Sequence, residues 1–186
     1  MSTLKTSTMS RFFIMVVLSL IGLMAYSQNL KENYIDEMTG DTIKYSHWRT
    51  IRTTLMGTIY SRFKSVNSTY GIEIRMMLGQ VFSISEGDCL ILKLDNGELI
   101  KLGSPSFVLT SIGGGSTGLS GSGTPGLVAP YLLDNESCIK LASNTITRIR
   151  ICTSNGIIDW ELGKGLAESI QADVGKMLIS KTTMKK

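Results

Sequence analysis

The stretch CLILKLDNGELIKL, residues 89–102, decides the fold because it holds two short apolar strands around a turn. Asn96-Gly97 is the preferred pair for a two-residue type I′ turn, in which both central residues need a positive φ. Such a turn places Leu94 opposite Leu99. One face of the hairpin then carries Leu90, Leu92, Leu94 and Leu99, and the other carries Cys89, Ile91, Ile100 and Leu102. Since both faces are largely apolar, the pattern predicts a hairpin covered on both sides.

Segments on either side of this hairpin have the period of two that is typical of strands. Apolar residues alternate with polar ones along 58–66 and 72–78, and residues 145–153 are also strand-like. Asp134 can cap a short helix through Leu141. At the C-terminal end, an apolar stripe with a spacing of four residues predicts a helix over 163–180: Leu162, Leu166, Ile170, Val174 and Leu178.

This order of elements predicts a mainly β or α+β fold. About ten short strands, hairpin turns and one terminal helix are typical of an antiparallel β-sandwich or a partly open barrel with a C-terminal amphipathic helix. No internal repeat divides the chain. We therefore expect residues 28–186 to form a single β-rich domain.

The first 27 residues are typical of a secretory signal peptide. Lys5 and Arg11 precede an apolar run over 12–24, and Ala25-Tyr26-Ser27 supplies small residues before a cleavage point. A run of about 13 residues is shorter than the roughly 20 that a membrane-spanning helix needs. We expect cleavage before Gln28, export to the periplasm or cell surface, and no stable membrane insertion. The alternative is an uncleaved anchor through 12–24.

Charge gives little reason to expect a nucleic-acid partner. The whole chain carries a net charge of +4, and removal of residues 1–27 takes away two basic residues and no acid, which leaves +2. The basic residues form no dense stripe in the sequence, so nucleic acid is not an expected partner.

Three cysteines remain after removal of the first 27 residues, namely Cys89, Cys138 and Cys152. Because Cys89 and Cys152 lie in strand-like runs, we expect buried free thiols, with one disulfide as the alternative. No C-x-x-C pair is present and the single histidine, His47, is distant from all three in sequence, so no zinc site and no other cofactor is expected.

A glycine-rich segment over 113–126 is predicted to be a surface loop. Within it, Gly114-Gly115-Ser116-Thr117-Gly118 has the G-x-S-x-G spacing of a nucleophile elbow. However, a nucleophile elbow needs a helix after the serine, and the residues after Ser116 include more glycine, serine and a proline. His47 also precedes Ser116 in the chain, which reverses the order found in the hydrolase fold with this motif. The remaining alternative is a loop in which the amides of Gly114 and Gly115 bind a ligand.

Other candidate site residues are His47 with Trp48, and three pairs of carboxylates. His47 beside Trp48 would suit sugar stacking or general-base chemistry, although a lone histidine is more often structural. The carboxylate pairs could bind calcium or act as acid and base, but their positions beside turns favour solvated residues. These pairs are Glu86 and Asp88, Asp95 and Glu98, and Asp159 and Glu161.

Four segments together resemble a group of small exported bacterial proteins of unknown function. The segments are residues 34–40, 46–48, 90–97 and 148–156. Members of that group have about this size, a signal peptide ending near a glutamine, and a glycine-rich stretch between two strands. The resemblance implies a Gram-negative envelope as the setting, and it implies no catalytic residues because the group has no assigned activity.

The sequence thus favours a non-enzymatic binding or structural module of the cell envelope with a protein or glycan partner. The alternative is a small secreted hydrolase that uses Ser116 or a carboxylate pair together with His47. The position of His47 relative to Ser116 and to clustered acids separates the two hypotheses.

Overall fold

The computed structural model describes residues 30–114, 123–179 and 183–184, so the predicted signal peptide lies outside the described residues. The described residues form fourteen strands and two helices. In chain order the strands are β1 (Glu32–Ile35), β2 (Thr42–Tyr45), β3 (Arg49–Thr54), β4 (Gly57–Val66), β5 (Thr69–Met77), β6 (Ser83–Ile84), β7 (Cys89–Leu94), β8 (Leu99–Gly103), β9 (Val108–Leu109), β10 (Ser111–Ile112), β11 (Pro125–Leu133), β12 (Ile146–Thr153), β13 (Gly156–Glu161) and β14 (Thr183–Met184). The helices are α1 (Asn135–Ser143) and α2 (Lys164–Ile179).

Two sheets dominate the architecture. The larger has the order β10-β11-β5-β4-β2-β1-β14, with β3 also paired to β4, and the smaller has the order β13-β12-β7-β8. Strands β6 and β9 form a short third pair. Every pair is antiparallel except β1 with β14. The prediction of a mainly β, α+β fold with antiparallel sheets and a C-terminal helix is confirmed.

The alternation along β4 and β5 builds the centre of the larger sheet. Ile59 and Phe63 of β4 are buried, and so are Ile72, Ile74 and Met76 of β5. The intervening side chains of β4 point to the other face, because successive residues of a strand alternate in direction. Apolar residues from both sheets and both helices join in one continuous core.

Both predicted helices are present, and each has a local cause. The Asp134 side chain accepts a hydrogen bond from the amide of Ser137 at 2.6 Å, which caps the first turn of α1. Helix α2 buries Ile170, Val174 and Met177 on one side. The amphipathic stripe predicted over 163–180 therefore faces the core.

The register of the β7–β8 hairpin differs from the prediction by one residue. The amide of Gly97 donates to the Leu94 carbonyl at 3.1 Å, and the amide of Leu94 donates to the Glu98 carbonyl at 2.9 Å. Among Asp95, Asn96 and Gly97 only the glycine has a positive φ, of 88°. The loop is therefore a three-residue turn that ends in a glycine bulge, not a two-residue type I′ turn.

This shift by one residue changes which face each side chain of β8 occupies. Lys93 lies opposite Leu99, and Leu92 lies opposite Ile100. Ile100 thereby joins the buried face, whereas Leu99 is 53% exposed. The prediction of a hairpin covered on both sides is wrong, and one face of the smaller sheet is open.

A type I′ turn does occur, but between β4 and β5. Asn67 and Ser68 have φ angles of 48° and 67°, and they connect Val66 directly to its partner Thr69. Both central residues of this two-residue loop have the positive φ that the turn requires.

Two of the three cysteines are paired. Cys89 of β7 and Cys152 of β12 form a disulfide, so the expectation of free thiols is wrong for both. Cys138 is a buried free thiol in α1, as expected. Burial, with a smaller effect from the charge of Asp134, raises the pKa of Cys138 to about 11. Its thiol is therefore protonated at neutral pH, which makes it a poor nucleophile.

Candidate functional site

The open face of the smaller sheet consists of three cross-strand rows, each taken from β8, β7, β12 and β13 in turn. The first row is Gly103, Cys89, Cys152 and Ile157. The second row is Lys101, Ile91, Arg150 and Asp159. The third row is Leu99, Lys93, Arg148 and Glu161. We call the second and third rows the basic face, because they bring four cations together.

The basic face contains an open depression of about 490 Å³. Its lining residues are Ile91, Lys93, Gly97, Leu99, Lys101, Arg148, Arg150 and Asp159. These side chains carry four positive charges and one negative charge. A volume of this size lies in the range of small-ligand sites, which is about 300–1,000 Å³.

One carboxylate fixes both arginines of the basic face. The Nε of Arg148 donates to Asp159 Oδ1 at 2.6 Å. The Nε and Nη2 of Arg150 donate to Asp159 Oδ2 at 3.1 and 2.6 Å. Hydrogen bonds from Arg148 and then Arg150 lower the pKa of Asp159, so its carboxylate remains ionised at neutral pH.

The two lysines of the basic face have no such partner. Among the described residues neither Lys93 nor Lys101 forms an ion pair, and both are exposed. Ile91 lies between Lys101 and Arg150 in the second row, and Leu99 borders Lys93 in the third. The depression therefore has an apolar floor surrounded by cations, an arrangement suited to an anion with an organic part.

His47 and Trp48, the sequence-predicted pair, lie in the segment between β2 and β3 and not in the depression. His47 is exposed, and its imidazole makes no hydrogen bond or ion pair with the described residues. Groups of three or more His, Cys, Asp or Glu side chains that could hold a metal are also absent from the described ranges. The structure thus gives His47 no acid that would orient it as a general base.

The Trp48 ring is already in contact with two arginines on the outer face of the larger sheet. The guanidinium of Arg62 lies 4.4 Å from the centre of the Trp48 ring and 4.2 Å from that of Tyr45. The guanidinium of Arg75 lies 3.8 Å from the Trp48 ring and 6.0 Å from Tyr60. Each cation–π contact contributes about 0.5–2 kcal/mol. A sugar that stacked on Trp48 would compete with these contacts.

Glu73 anchors this aromatic–arginine cluster. Its carboxylate accepts from Arg62 Nε at 2.7 Å and pairs with Lys64 Nζ at 2.9 Å. Burial alone would raise the pKa of Glu73, but the hydrogen bonds and charges of Lys64 and Arg62 outweigh burial and lower it. Ionised Glu73 therefore stabilises the fold above its unfolded-state pKa, and this contribution is lost as the pH falls through the folded-state pKa.

Replacing Glu73 by glutamine should make the protein less sensitive to acid. We expect E73Q to be about 1–3 kcal/mol less stable at pH 7, because two cations lose their charged acceptor. Between about pH 5 and pH 3 its free energy of unfolding should fall less steeply than that of the wild type. Urea denaturation across this pH range measures both effects, and parallel curves for the two proteins would contradict the role of Glu73.

Ser116 and Gly115 lie outside the described residues, whereas Gly114 has a structural explanation. Its amide donates to the Ser111 carbonyl at 2.9 Å. A Cβ at Gly114 would lie 2.1 Å from the Gly126 carbonyl oxygen, and a Cβ at Gly126 would lie 2.2 Å from the Gly114 carbonyl oxygen. Both glycines permit the close approach of the backbone where the glycine-rich segment leaves and re-enters the sheet.

The carboxylates of the predicted pairs have separate structural roles. Asp88 accepts from the amide of Ser85 at 2.7 Å, and Asp95 accepts from the Thr145 hydroxyl at 2.8 Å. Hydrogen bonds from Thr145 lower the pKa of Asp95. Of these carboxylates, Asp159 alone lines the depression, where it binds arginines.

The basic face could not be predicted from the sequence, because its cations come from three different strands. The signal in β12 is the alternation of Arg148 and Arg150, but Lys93 and Lys101 lie about fifty residues earlier. Only the correct hairpin register places Lys101 and Leu99 on this face. An ordinary count of charge along the chain cannot detect such a cluster.

Helices long and apolar enough to cross a bilayer are absent from the described ranges. No family model matches the sequence, and the comparisons with curated proteins and with solved structures found no match.

Proposed function

We propose that this chain is an exported, non-enzymatic binding module of the bacterial envelope that holds an acidic glycan on its basic face. The observation that carries this proposal is the depression lined by Lys93, Lys101, Arg148 and Arg150 with a single acid, Asp159. The export part rests on residues 1–27 and on the resemblance to small exported proteins.

The charge of the depression favours a glycan over a protein partner, because the centre of a protein interface is depleted of charged residues. A standard protein interface covers about 800 Å² on each side and has an apolar centre. The basic face instead offers a compact depression of about 490 Å³ with charged walls. Two arginines held by Asp159 and two exposed lysines around a small apolar floor suit one or two charged sugar units.

The disulfide is compatible with export. Cys89 and Cys152 join β7 and β12 directly beside the basic face. Structural disulfides persist in oxidising compartments such as the periplasm and are rare in the cytosol.

Neutralising the two unpaired lysines should abolish most of the binding. On an array of acidic and neutral glycans, we expect the exported protein to bind acidic members and K93Q/K101Q to bind them at least about tenfold more weakly at low salt. The matched control K31Q/K176Q removes two positive charges from the segment before β1 and from α2. It should retain wild-type affinity if position matters and net charge does not.

Four outcomes would overturn parts of the proposal. Equal binding of neutral glycans, or equal losses in the two double variants, would exclude the basic face as a specific site. Retention of acidic proteins alone from an envelope extract would replace the glycan by a protein partner. An intact mass that includes Lys5, instead of a chain beginning at Gln28, would contradict signal cleavage.

A further inference from the structure

We propose that the basic face selects a phosphomonoester whose organic part lies over Ile91 and Leu99. This inference rests on the proposed function and specifies the anionic group that the site recognises. It follows from the charge in the depression, from the hydrogen-bond donors left without acceptors, and from the apolar floor.

The depression has an excess of positive charge. The residues that line the depression carry three positive charges in excess of Asp159. The further acid of the third row, Glu161, is exposed on β13 and does not line the depression. A phosphomonoester carries a charge of about −1.5 to −2 at pH 7, whereas a carboxylate or a sulfate monoester carries −1. The dianion therefore neutralises more of the excess charge.

The two arginines of the depression also have hydrogen-bond donors that Asp159 does not use. Both oxygens of Asp159 are used, since Oδ1 accepts from Arg148 and Oδ2 accepts from Arg150. Among the described residues, the two Nη atoms of Arg148 have no hydrogen-bond acceptor. Nη1 of Arg150 also has none. Arg148 and Arg150 line one depression together with Lys93 and Lys101. A phosphate group has three terminal oxygens to accept from them.

The floor of the depression is apolar. Ile91 lies in the second row between Lys101 and Arg150. Leu99 is 53% exposed and borders the same depression. A bare inorganic ion would leave this apolar surface in water, whereas an organic phosphate would cover part of it. The site therefore fits an organic phosphomonoester better than free phosphate.

Matched small ligands test this selectivity with the exported protein. By titration calorimetry at pH 7.5, we expect hexyl phosphate to bind at least tenfold more tightly than hexyl sulfate and more tightly than inorganic phosphate. Near pH 5 the phosphomonoester becomes a monoanion, because its second pKa is about 6. Its advantage over hexyl sulfate should then disappear. The lowered pKa of Asp159 keeps that carboxylate ionised, so the ligand is the group that titrates.

Two variants separate the contribution of the positive charge from that of the apolar floor. K101Q should reduce the preference for hexyl phosphate over hexyl sulfate. L99S replaces an exposed side chain, so it should fold normally, weaken hexyl phosphate and leave inorganic phosphate unchanged. Vesicles of phosphatidylcholine with phosphatidic acid identify the source: binding to them indicates a lipid headgroup, which would replace the glycan of the proposed function, and binding to hexyl phosphate alone indicates a soluble phosphoester. Either result supports the same chemistry.

A failure of the phosphomonoester inference can be distinguished from a failure of the proposed function. Equal affinity for hexyl phosphate and hexyl sulfate at pH 7.5, or a phosphate affinity that does not change with pH, would overturn the phosphomonoester inference. If acidic glycans still bound through Lys93 and Lys101, the proposed function would stand. If no acidic ligand bound, both would fail.

Discussion

Replacing Arg49 by methionine is expected to lower the free energy of unfolding by about 3–5 kcal/mol, because it leaves a carboxylate buried without its partner. Arg49 of β3 donates from Nε and Nη2 to the two carboxylate oxygens of Asp173 at 2.8 and 3.0 Å. The Asp173 side chain in α2 is only 6% exposed. The hydrogen bonds that Arg49 donates to Asp173 raise the pKa of Arg49, so its guanidinium stays charged throughout the neutral range.

Urea denaturation measures the stability of R49M, and two further variants serve as controls. The double variant R49M/D173L removes both charges and should recover most of the loss. K164M breaks an exposed pair with Glu168, whose atoms are 4.0 Å apart, and should change stability by less than about 0.5 kcal/mol. A loss below about 1 kcal/mol in R49M would show that the pair does not hold α2 against the larger sheet.

Removing the disulfide should have an effect of similar size. Cys89 and Cys152 are 63 residues apart in the chain, and closing a loop of that length stabilises a protein by about 4 kcal/mol through the entropy of the unfolded state. We therefore expect C89A/C152A to unfold at a clearly lower urea concentration than the wild type.

A reductant provides the control for this prediction. Dithiothreitol should destabilise the wild type to the level of C89A/C152A and should not change the double variant further. Cys138 is the buried free thiol in both proteins, so it does not account for a difference. Equal stability of oxidised wild type and C89A/C152A would contradict a structural role for the bond.

The elements that could be predicted from the sequence are those with a local cause. The alternation of Ile59 and Phe63 in β4 requires one buried face, and the cap at Asp134 requires only a side chain and nearby amides. The stripe that includes Ile170 and Val174 identifies a helix whatever it packs against.

The register of the β7–β8 hairpin could not be predicted in this way. Asn96-Gly97 is compatible with a two-residue turn and with a three-residue turn that ends in a bulge at Gly97, and the two differ by one residue in pairing. The apolar residues Leu99 and Ile100 are adjacent, so either register buries one of them. Packing against the rest of the core selects Ile100, and this tertiary effect leaves Leu99 on the basic face.

The position of the candidate site also depends on the register of the β7–β8 hairpin. With the predicted register, Lys101 would share a face with Leu90 and Leu92, both of which are buried. With the observed register it lies beside Ile91 and across from Arg150. The convergence of cations depends on a pairing between distant strands, which no local pattern of residues specifies.

The most direct test of the account is to locate the ligand on the protein by amide chemical-shift mapping during a titration with hexyl phosphate. The account predicts saturable shifts concentrated in β7, β8 and β12, above all at Ile91, Lys101 and Arg150, with little change around Trp48. Shifts centred on the outer face of the larger sheet, or none at concentrations that saturate other phosphate sites, would contradict the claim that the basic face binds an anion.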